Sequence, residues 1–337
     1  MIRRMLIVIP VLVVLTAGIL TFLFFSSFDR PPVGSEKKVL YTVDPGKTAS
    51  AVADDLLMRG IIKNKWPFLI GYRLYFSDVT IKAGEYSLDL PLPPRRILKI
   101  LTEGKVNLYP LTLPEGLTRR EMAPLVAEQT QIDPVLFMDA TNDTKLLEGW
   151  DDVAVNLEGY LYPETYHLPS GSSAVSVVTA MVNLFKKNFS NEWKNKAEDL
   201  GMSIRDIVTL ASLIEKETSV DEERTLVSAV FHNRLRRGMK LDCDPTIIYA
   251  LKEEDSFDGN LRKRDLQWDH PYNTYVHGGL PPGPIANPGG DSLYAALYPA
   301  DVDFLYFVSK NDGSHHFSVS YREHINAVNE YQRRKKR

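Results

Sequence analysis

Twenty-one consecutive residues without a charge, Met5 to Phe25 (MLIVIPVLVVLTAGILTFLFF), constrain this chain more than anything after them. Wound as a helix at 1.5 Å per residue, such a run covers about 30 Å, the hydrocarbon thickness of a bilayer. Arg3 and Arg4 precede it, so the positive-inside bias puts the N-terminus in the cytoplasm and everything after Ser27 outside. A cleaved signal peptide is the competing reading. It asks for a shorter apolar core and an A-x-A-like site, and no such site follows. Pro10 is tolerable near a membrane helix end. The expectation is an uncleaved single-pass anchor, residues 1–28, in the cell (inner) membrane, with the remainder extracytoplasmic.

The 337 residues, 44% hydrophobic and 25% charged, supply a substantial core and suggest about two exported domains. A net charge of -3 gives no reason to expect nucleic acid. The closing RRKKR, within a basic tail at 331–337, reads as a solvated run. One cysteine, Cys243, excludes an internal disulfide framework. Seven histidines lack metal-ligand spacing, and neither a G-x-S-x-G elbow nor a phosphate-binding G-x-x-x-x-G-K-[ST] loop occurs. Neither a metal nor a cofactor is expected.

Residues 29–37 read as a linker, and 38–104 as a small domain. KVLYTVDPG predicts a strand, and TASAVADDLLMRG a helix with Thr48 as N-cap and Gly60 as its stop. NKWPFLIGYRLY is helical, IKAGEYSLDL alternates like a strand, and PPRRILKILTEG is a helix opened by proline and closed by Gly104. The start recurs some 70 residues on, where Gly46, Thr48 and Ala53 are matched by Gly116, Thr118 and Ala123. Thr118 and Glu121 form a capping box there. Shared cap chemistry and true duplication both explain the match.

The larger domain, 105–330, reads as mixed α/β and mostly helical, with helices over Ser173–Phe189 and Ser203–Glu217. NLEGYLYPETYHLP, residues 156–169, interrupts it without helical period. Aromatic rings beside carboxylates suit a sugar cleft, because pyranose faces stack on rings while hydroxyls need acceptors; a tyrosine-rich loop packed on its own domain is the plainer account. YNTYVHGGLPPGPIANPGGDS is ordered by rigid turns, and FLYFVSK with HHFSVS makes a hairpin around NDGS. The fold class is thus α+β: an N-terminal transmembrane helix, a small βααβ domain and a larger mixed domain.

The chemistry concentrates in LIEKETSVDEER, residues 213–224. On a helix, Glu215 and Glu217 diverge by about 200°, so they cannot form the close carboxylate pair of a retaining glycosidase. SVDE predicts a capping box, Ser219 with Glu222, opening a helix that runs to Gly238. The preceding helix then ends at about Glu217 or Thr218. A carboxyl in that last turn meets the negative end of the helix dipole, which favours its protonated form. A catalytic acid requires a raised pKa at neutral pH, so Glu217 is the better candidate, although a solvated helix terminus accounts for the pattern too.

ASLIEKETSVDEERTLVSAVFHNRLRRGMKLDCDPTIIYAL, YNTYVHGGLPPGPIANPG and LEGYLYPETY together resemble the YceG-like family of membrane-anchored endolytic murein transglycosylases. The resemblance covers nearly the whole chain. It implies a LysM-like small domain at 38–104 and non-hydrolytic cleavage of peptidoglycan between N-acetylmuramic acid and N-acetylglucosamine, giving 1,6-anhydro ends and terminating or trimming nascent strands. It places the catalytic glutamate in E-K-E-T. Lytic transglycosylases more widely set their acid directly before Ser or Thr, which selects Glu217, followed by Thr218. Glu164 stands where an aspartate is also common in the family. Glu158, Tyr160, Tyr166, Tyr272, Asn273 and Tyr275 are, with Glu164, the candidate substrate-binding residues. The partners implied are peptidoglycan glycan strands and the membrane, with the cell-wall synthesis machinery as a further candidate.

Two rival functions remain. A peptidoglycan hydrolase needs a second carboxylate about 5 to 9.5 Å from Glu217, and Asp244 or Glu164 is available. A tethered glycan-binding scaffold without activity suits the small domain but leaves the region beyond it unexplained. The anchor reading predicts that a phosphatase fused after residue 40 is active outside the cytoplasm and that the full chain stays with membranes through a high-salt wash. Release of a shortened mature protein overturns it.

Overall fold

The computed structural model describes residues 2–34 and 36–333, with side chains from Ile9 onward in the first helix. The side chains of Arg3 and Arg4 and the last four residues of the basic tail lie outside the described residues. The protein is mixed α/β and divides into two compact units, one up to Tyr109 with His167–Gly171, the other Pro110–Tyr166 with Ser172 onward.

The first unit starts with α1 (Ile2–Phe28), whose segment Ile9–Phe28 is long and apolar enough to cross a membrane. Then come β1 (Lys37–Val43), α2 (Ala49–Met58), α3 (Lys65–Tyr75), β2 (Gly84–Leu90) and α4 (Pro94–Glu103), in the expected βααβ order. β1 and β2 pair antiparallel, Lys37 opposite Leu90 and Val43 opposite Gly84. The strand period of two turns Tyr41, Val43, Tyr86 and Leu88 to one face, where they are buried with Leu56, Phe68 and Leu98. Thr48 caps α2 by accepting from the Ala51 amide at 3.2 Å. Gly60 and Gly104 follow α2 and α4 with φ of 69° and 74°, left-handed turns that glycine adopts without strain.

One aromatic of α1 completes this core. Phe28 is fully buried, and a Cβ on Gly71 of α3 would stand 2.1 Å from its ring, so only glycine admits it. The Phe28 ring stacks on Tyr75 (centroids 5.8 Å) and on Phe24 (5.2 Å). Arg95 lies over its ring at 5.6 Å and bonds the Asp29 carboxylate at 3.2 Å. The end of α1 and Asp29 are therefore already held on the small domain.

The chain continues through β3 (Leu108–Thr112), α5 (Arg119–Gln129), α6 (Pro134–Ala140) and β4 (Thr165–Pro169) to the helical series of the second unit, the two strands each being divided between the units. That series is α7 (Ala174–Asn188), α8 (Asn191–Asp199), α9 (Ile204–Glu217), α10 (Asp221–Arg236), α11 (Asp244–Glu253) and α12 (Gly290–Leu297). The expected hairpin, β5 (Tyr306–Ser309) with β6 (His315–Ser318), and α13 (Tyr321–Val328) close it. β3 pairs with β4, so β3–α5–α6–β4 repeats the order β1–α2–α3–β2. The turns also agree: Gly46 and Gly116 have φ of 80° and 76°, each two residues before a threonine N-cap. Both the cap chemistry and the element order are thus shared, which favours duplication.

α9 is the centre of this unit. Every residue from Ile207 to Ile214 is buried, so the helix is enclosed on all sides rather than along one apolar stripe. Removing Phe28 from the first unit tests the weld between α1 and the small domain. Phe28→Ala costs about 3 kcal/mol or more of local stability. Amides of β1 and β2 in the full chain then exchange roughly 100-fold faster, with those of α9 unchanged. Equal exchange in both proteins shows that α1 contributes nothing to that core.

Candidate active site

Glu217 is the final residue of α9, and Thr218 leaves the helix in extended geometry. Thr218 is buried, and its hydroxyl accepts from the Val220 amide at 3.1 Å. The capping box expected at Ser219 and Glu222 does not form: α10 begins one residue later, with Val220 as an N-cap that makes no side-chain bond. The carboxylate that turns inward is Glu223, which tertiary contacts claim. It accepts from the His315 amide at 2.9 Å and from His315 Nδ1 at 2.7 Å, while Thr218 Oγ1 donates to it at 3.5 Å. The start of α10 is thereby bound to β6.

Four groups act on the Glu217 carboxyl. Its pKa is raised to about 7, first by burial, although part of the residue remains open to solvent. The Cys243 thiol hydrogen-bonds the ionised form and opposes that rise, the Asp244 carboxylate adds to it, and His315 and Arg234 lower it. Burial in turn drives the Cys243 thiol well above its usual range. Arg234 is itself held by the Leu305, Lys240 and Leu241 carbonyls at 2.7, 3.1 and 3.0 Å and by Asp242 at 3.1 Å. Cys243 is positioned by Thr274 and Thr246: its amide donates to Thr274 Oγ1 at 3.0 Å, and its carbonyl accepts from Thr246 Oγ1 at 2.7 Å. The Tyr275 hydroxyl donates to Asp244 at 2.8 Å.

Glu215 points elsewhere, as the divergence on a helix requires. Its carboxylate accepts from the Gly289 amide at 3.0 Å and lies against Gly116. The pKa of the Glu115 carboxyl nearby is raised, first by partial desolvation and then by Glu215, although the residue is exposed.

The remaining sequence candidates separate. Tyr275 stands in the Glu217 neighbourhood through Asp244. Tyr272 is half-buried and packs on Tyr249 at 5.1 Å. Glu164 is exposed and accepts from the Thr165 amide at 2.8 Å. Tyr166 is nearly buried, with its hydroxyl spent on the Tyr162 carbonyl. Three candidates do not line a cleft. Tyr160 is wholly buried, donating to Asp151 at 2.7 Å and packing edge-on against Phe185. Asn273 is wholly buried, donating to the Trp268 carbonyl at 2.7 Å and accepting from the Tyr275 amide at 2.9 Å. Glu158 is buried beneath the turn, accepting from the Arg119 amide at 3.1 Å and from Asn287 at 2.8 Å; burial lifts its pKa to about 8. These polar atoms order the backbone around them, a role that a tyrosine-rich or asparagine-rich stretch does not distinguish from sugar contact.

Residues missed from the sequence are Glu223, His315, Arg234 and Asn287. Only the last had a visible signal, an asparagine between an apolar pair and a proline in PIANPG. The Asn287 side chain accepts from the Gly159 and Leu161 amides at 2.8 and 2.9 Å and donates to the Leu117 carbonyl at 2.9 Å.

The model of the YceG-like family matches residues 41–330. An endolytic murein transglycosylase of Bacillus subtilis is 31% identical over 331 residues, covering 92% of this chain and 89% of that protein. One of Streptococcus pneumoniae strain D39 is 27% identical over 88% of this chain, which spans 59% of that longer protein. The crystal structure of a YceG-like protein from Listeria monocytogenes superposes with a TM-score of 0.59 at 32% identity, covering 86% of this chain and 98% of that one. Two of these likenesses exceed 30% identity over most of both chains, and with the family match they establish that this chain belongs to the YceG-like family.

Proposed function

We propose that this chain is a membrane-anchored endolytic lytic transglycosylase of peptidoglycan, with Glu217 as its catalytic acid. The relatives' activity supplies the substrate class. The observation that carries the residue assignment is a carboxyl held near pKa 7 at a helix end that is still open to solvent. In this reading protonated Glu217 donates to the glycosidic oxygen as the bond to C1 of the muramic residue breaks. The C6 hydroxyl of that same sugar attacks C1 and gives its proton to the Glu217 carboxylate, which restores the acid. An intramolecular nucleophile has a high effective molarity and needs no second carboxylate to activate water. Cys243, His315 and Arg234 steady the ionised form between the two proton transfers. Residues 38–104 act as the LysM-like glycan contact, and α1 as the single-pass anchor.

One observation favours a second reading. Asp244 is exposed, close enough to act on Glu217, and oriented by Tyr275, as a water-activating base would be. Mass spectrometry of digested peptidoglycan separates the two. Transglycosylation leaves 1,6-anhydro ends; hydrolysis leaves reducing ends heavier by one water.

Glu217→Gln is expected to lower anhydro-product formation by about 10² to 10⁴ or more. Glu215→Gln keeps substantial activity and loses about 1 kcal/mol of stability, since the hydrogen bond it weakens is the one from the Gly289 amide. Near wild-type turnover in Glu217→Gln with a dead Glu215→Gln overturns the assignment. A pH effect on stability follows as well. The folded pKa lies above the usual value of 4.5, so the folded chain holds an extra proton between pH 4.5 and 7 and loses stability as pH rises through that window. The penalty is largest above pH 7, at most about 3 kcal/mol before solvent screening. Glu217→Gln should therefore melt higher than wild type at pH 8, with the difference shrinking at pH 5; an equal offset at both values removes the raised pKa.

A further inference from the structure

The reaction makes no use of the outer face of α3. Trp66, Ile70 and Leu74 are 59%, 44% and 62% exposed there, and their four-residue spacing makes one continuous apolar strip. The adjoining row of the same helix faces α1. Gly71 lies against the Phe28 ring, Tyr75 stacks on it, and Pro67 shares a recess with Ser26, Ser27 and Arg30. The strip therefore runs alongside α1 where that helix ends. Phe24, still inside the uncharged run, stacks on Phe28 and packs against the small-domain core. The core of the first unit thus begins at a depth that belongs to the apolar segment, which sets α3 at the rim of that segment rather than far above it.

Charge follows the same plan. Arg30 and Lys63 line the recess with Asn64 and the two serines, and Arg73 is exposed between Ile70 and Leu74 along the helix. A helix with an apolar strip, a tryptophan and basic flanks is the pattern that lies in a membrane interface. Left in water, the strip is an association hazard. Its continuity with the membrane helix names the occupant.

We propose that α3 docks on the surface of the bilayer that α1 crosses, with Trp66, Ile70 and Leu74 in the interfacial layer and the Arg30–Lys63 recess on a phospholipid phosphate. The inference rests on the anchor reading above. The small unit is then held flat on the membrane, and the glycan it meets is the glycan nearest the bilayer.

The test uses the full chain reconstituted in phosphatidylethanolamine–phosphatidylglycerol vesicles whose acyl chains carry bromine, a short-range quencher of tryptophan. Part of the fluorescence of the four tryptophans should be quenched, and Trp66→Phe should abolish that part. Arg30→Gln with Lys63→Gln should lessen that quenching, and unchanged quenching overturns the phosphate contact. A chain that does not float with vesicles overturns the anchor reading beneath the proposal. A chain that floats, yet is quenched equally with and without Trp66, overturns the docking alone. So does Trp66 emission that responds to soluble glycan fragments and not to brominated lipid, since the strip then contacts glycan.

Discussion

Asn287 is the joint on which the second unit depends. Its amide joins two irregular segments at once: the turn before α5 through the Leu117 carbonyl, and the tyrosine-rich stretch through the Gly159 and Leu161 amides and the buried Glu158 carboxyl. The Gly159 and Leu161 amides are buried, and an unpaired buried amide costs about 1–3 kcal/mol. No helix or sheet ladder reaches them, so a side chain that both donates and accepts has to. Gly159 shows how close the approach is: a Cβ there would stand 2.4 Å from Pro284 and 2.8 Å from Val208 of α9. The loops are ordered because they lie on α9 and are hydrogen-bonded to one another.

That arrangement also sets the surroundings of Glu217 at the end of α9. Enclosing the helix fixes where Glu217 emerges, and burial alone would push its carboxyl up with no control over the extent. The Cys243 thiol, His315 and Arg234 pull the other way. Each is tied to a different element: Cys243 to Thr246 and Thr274, His315 to Glu223, and Arg234 to the segments around Leu305 and Leu241. The balance near neutrality is therefore a property of the assembled unit. Glu223 also shows why carboxylates clustered in sequence need not share a task. Glu215, Glu217 and Glu223 lie within nine residues and serve, respectively, a glycine amide, the open site and a histidine.

In the first unit the corresponding constraint is Phe28. An apolar helix followed by a domain is usually read as anchor, linker and domain in series. Here the last aromatic of the helix is a core residue of the domain, admitted by the missing side chain of Gly71. The domain is thereby oriented with respect to the helix.

Much of this was legible along the chain because it depends on local chemistry. A charge-free run of 21 residues, threonine caps at 48 and 118, glycine stops at 60 and 104, alternation in the two strands and divergence of Glu215 from Glu217 follow from periods of 2 and 3.6 and from cap geometry. The family resemblance rested on three segments in order, and the comparisons agree with it. Long-range partners were not legible. Glu158, Tyr160 and Asn273 read as groups offered to sugar, and burial made them internal struts: Asn287 reaches Glu158 from 129 residues away, while Tyr160 and Asn273 bond the nearer Asp151 and Trp268 carbonyl inside the packed unit. The cap of α10 moved because Glu223 was taken by His315, 92 residues distant. Sequence alone determined which segments would be helix, strand and long apolar run, since neighbours in the chain decide those. Only the tertiary structure decided which carboxyl stays nearly neutral and which polar side chains are spent on the protein itself, because burial and hydrogen bonding are set by residues the chain brings back from far away.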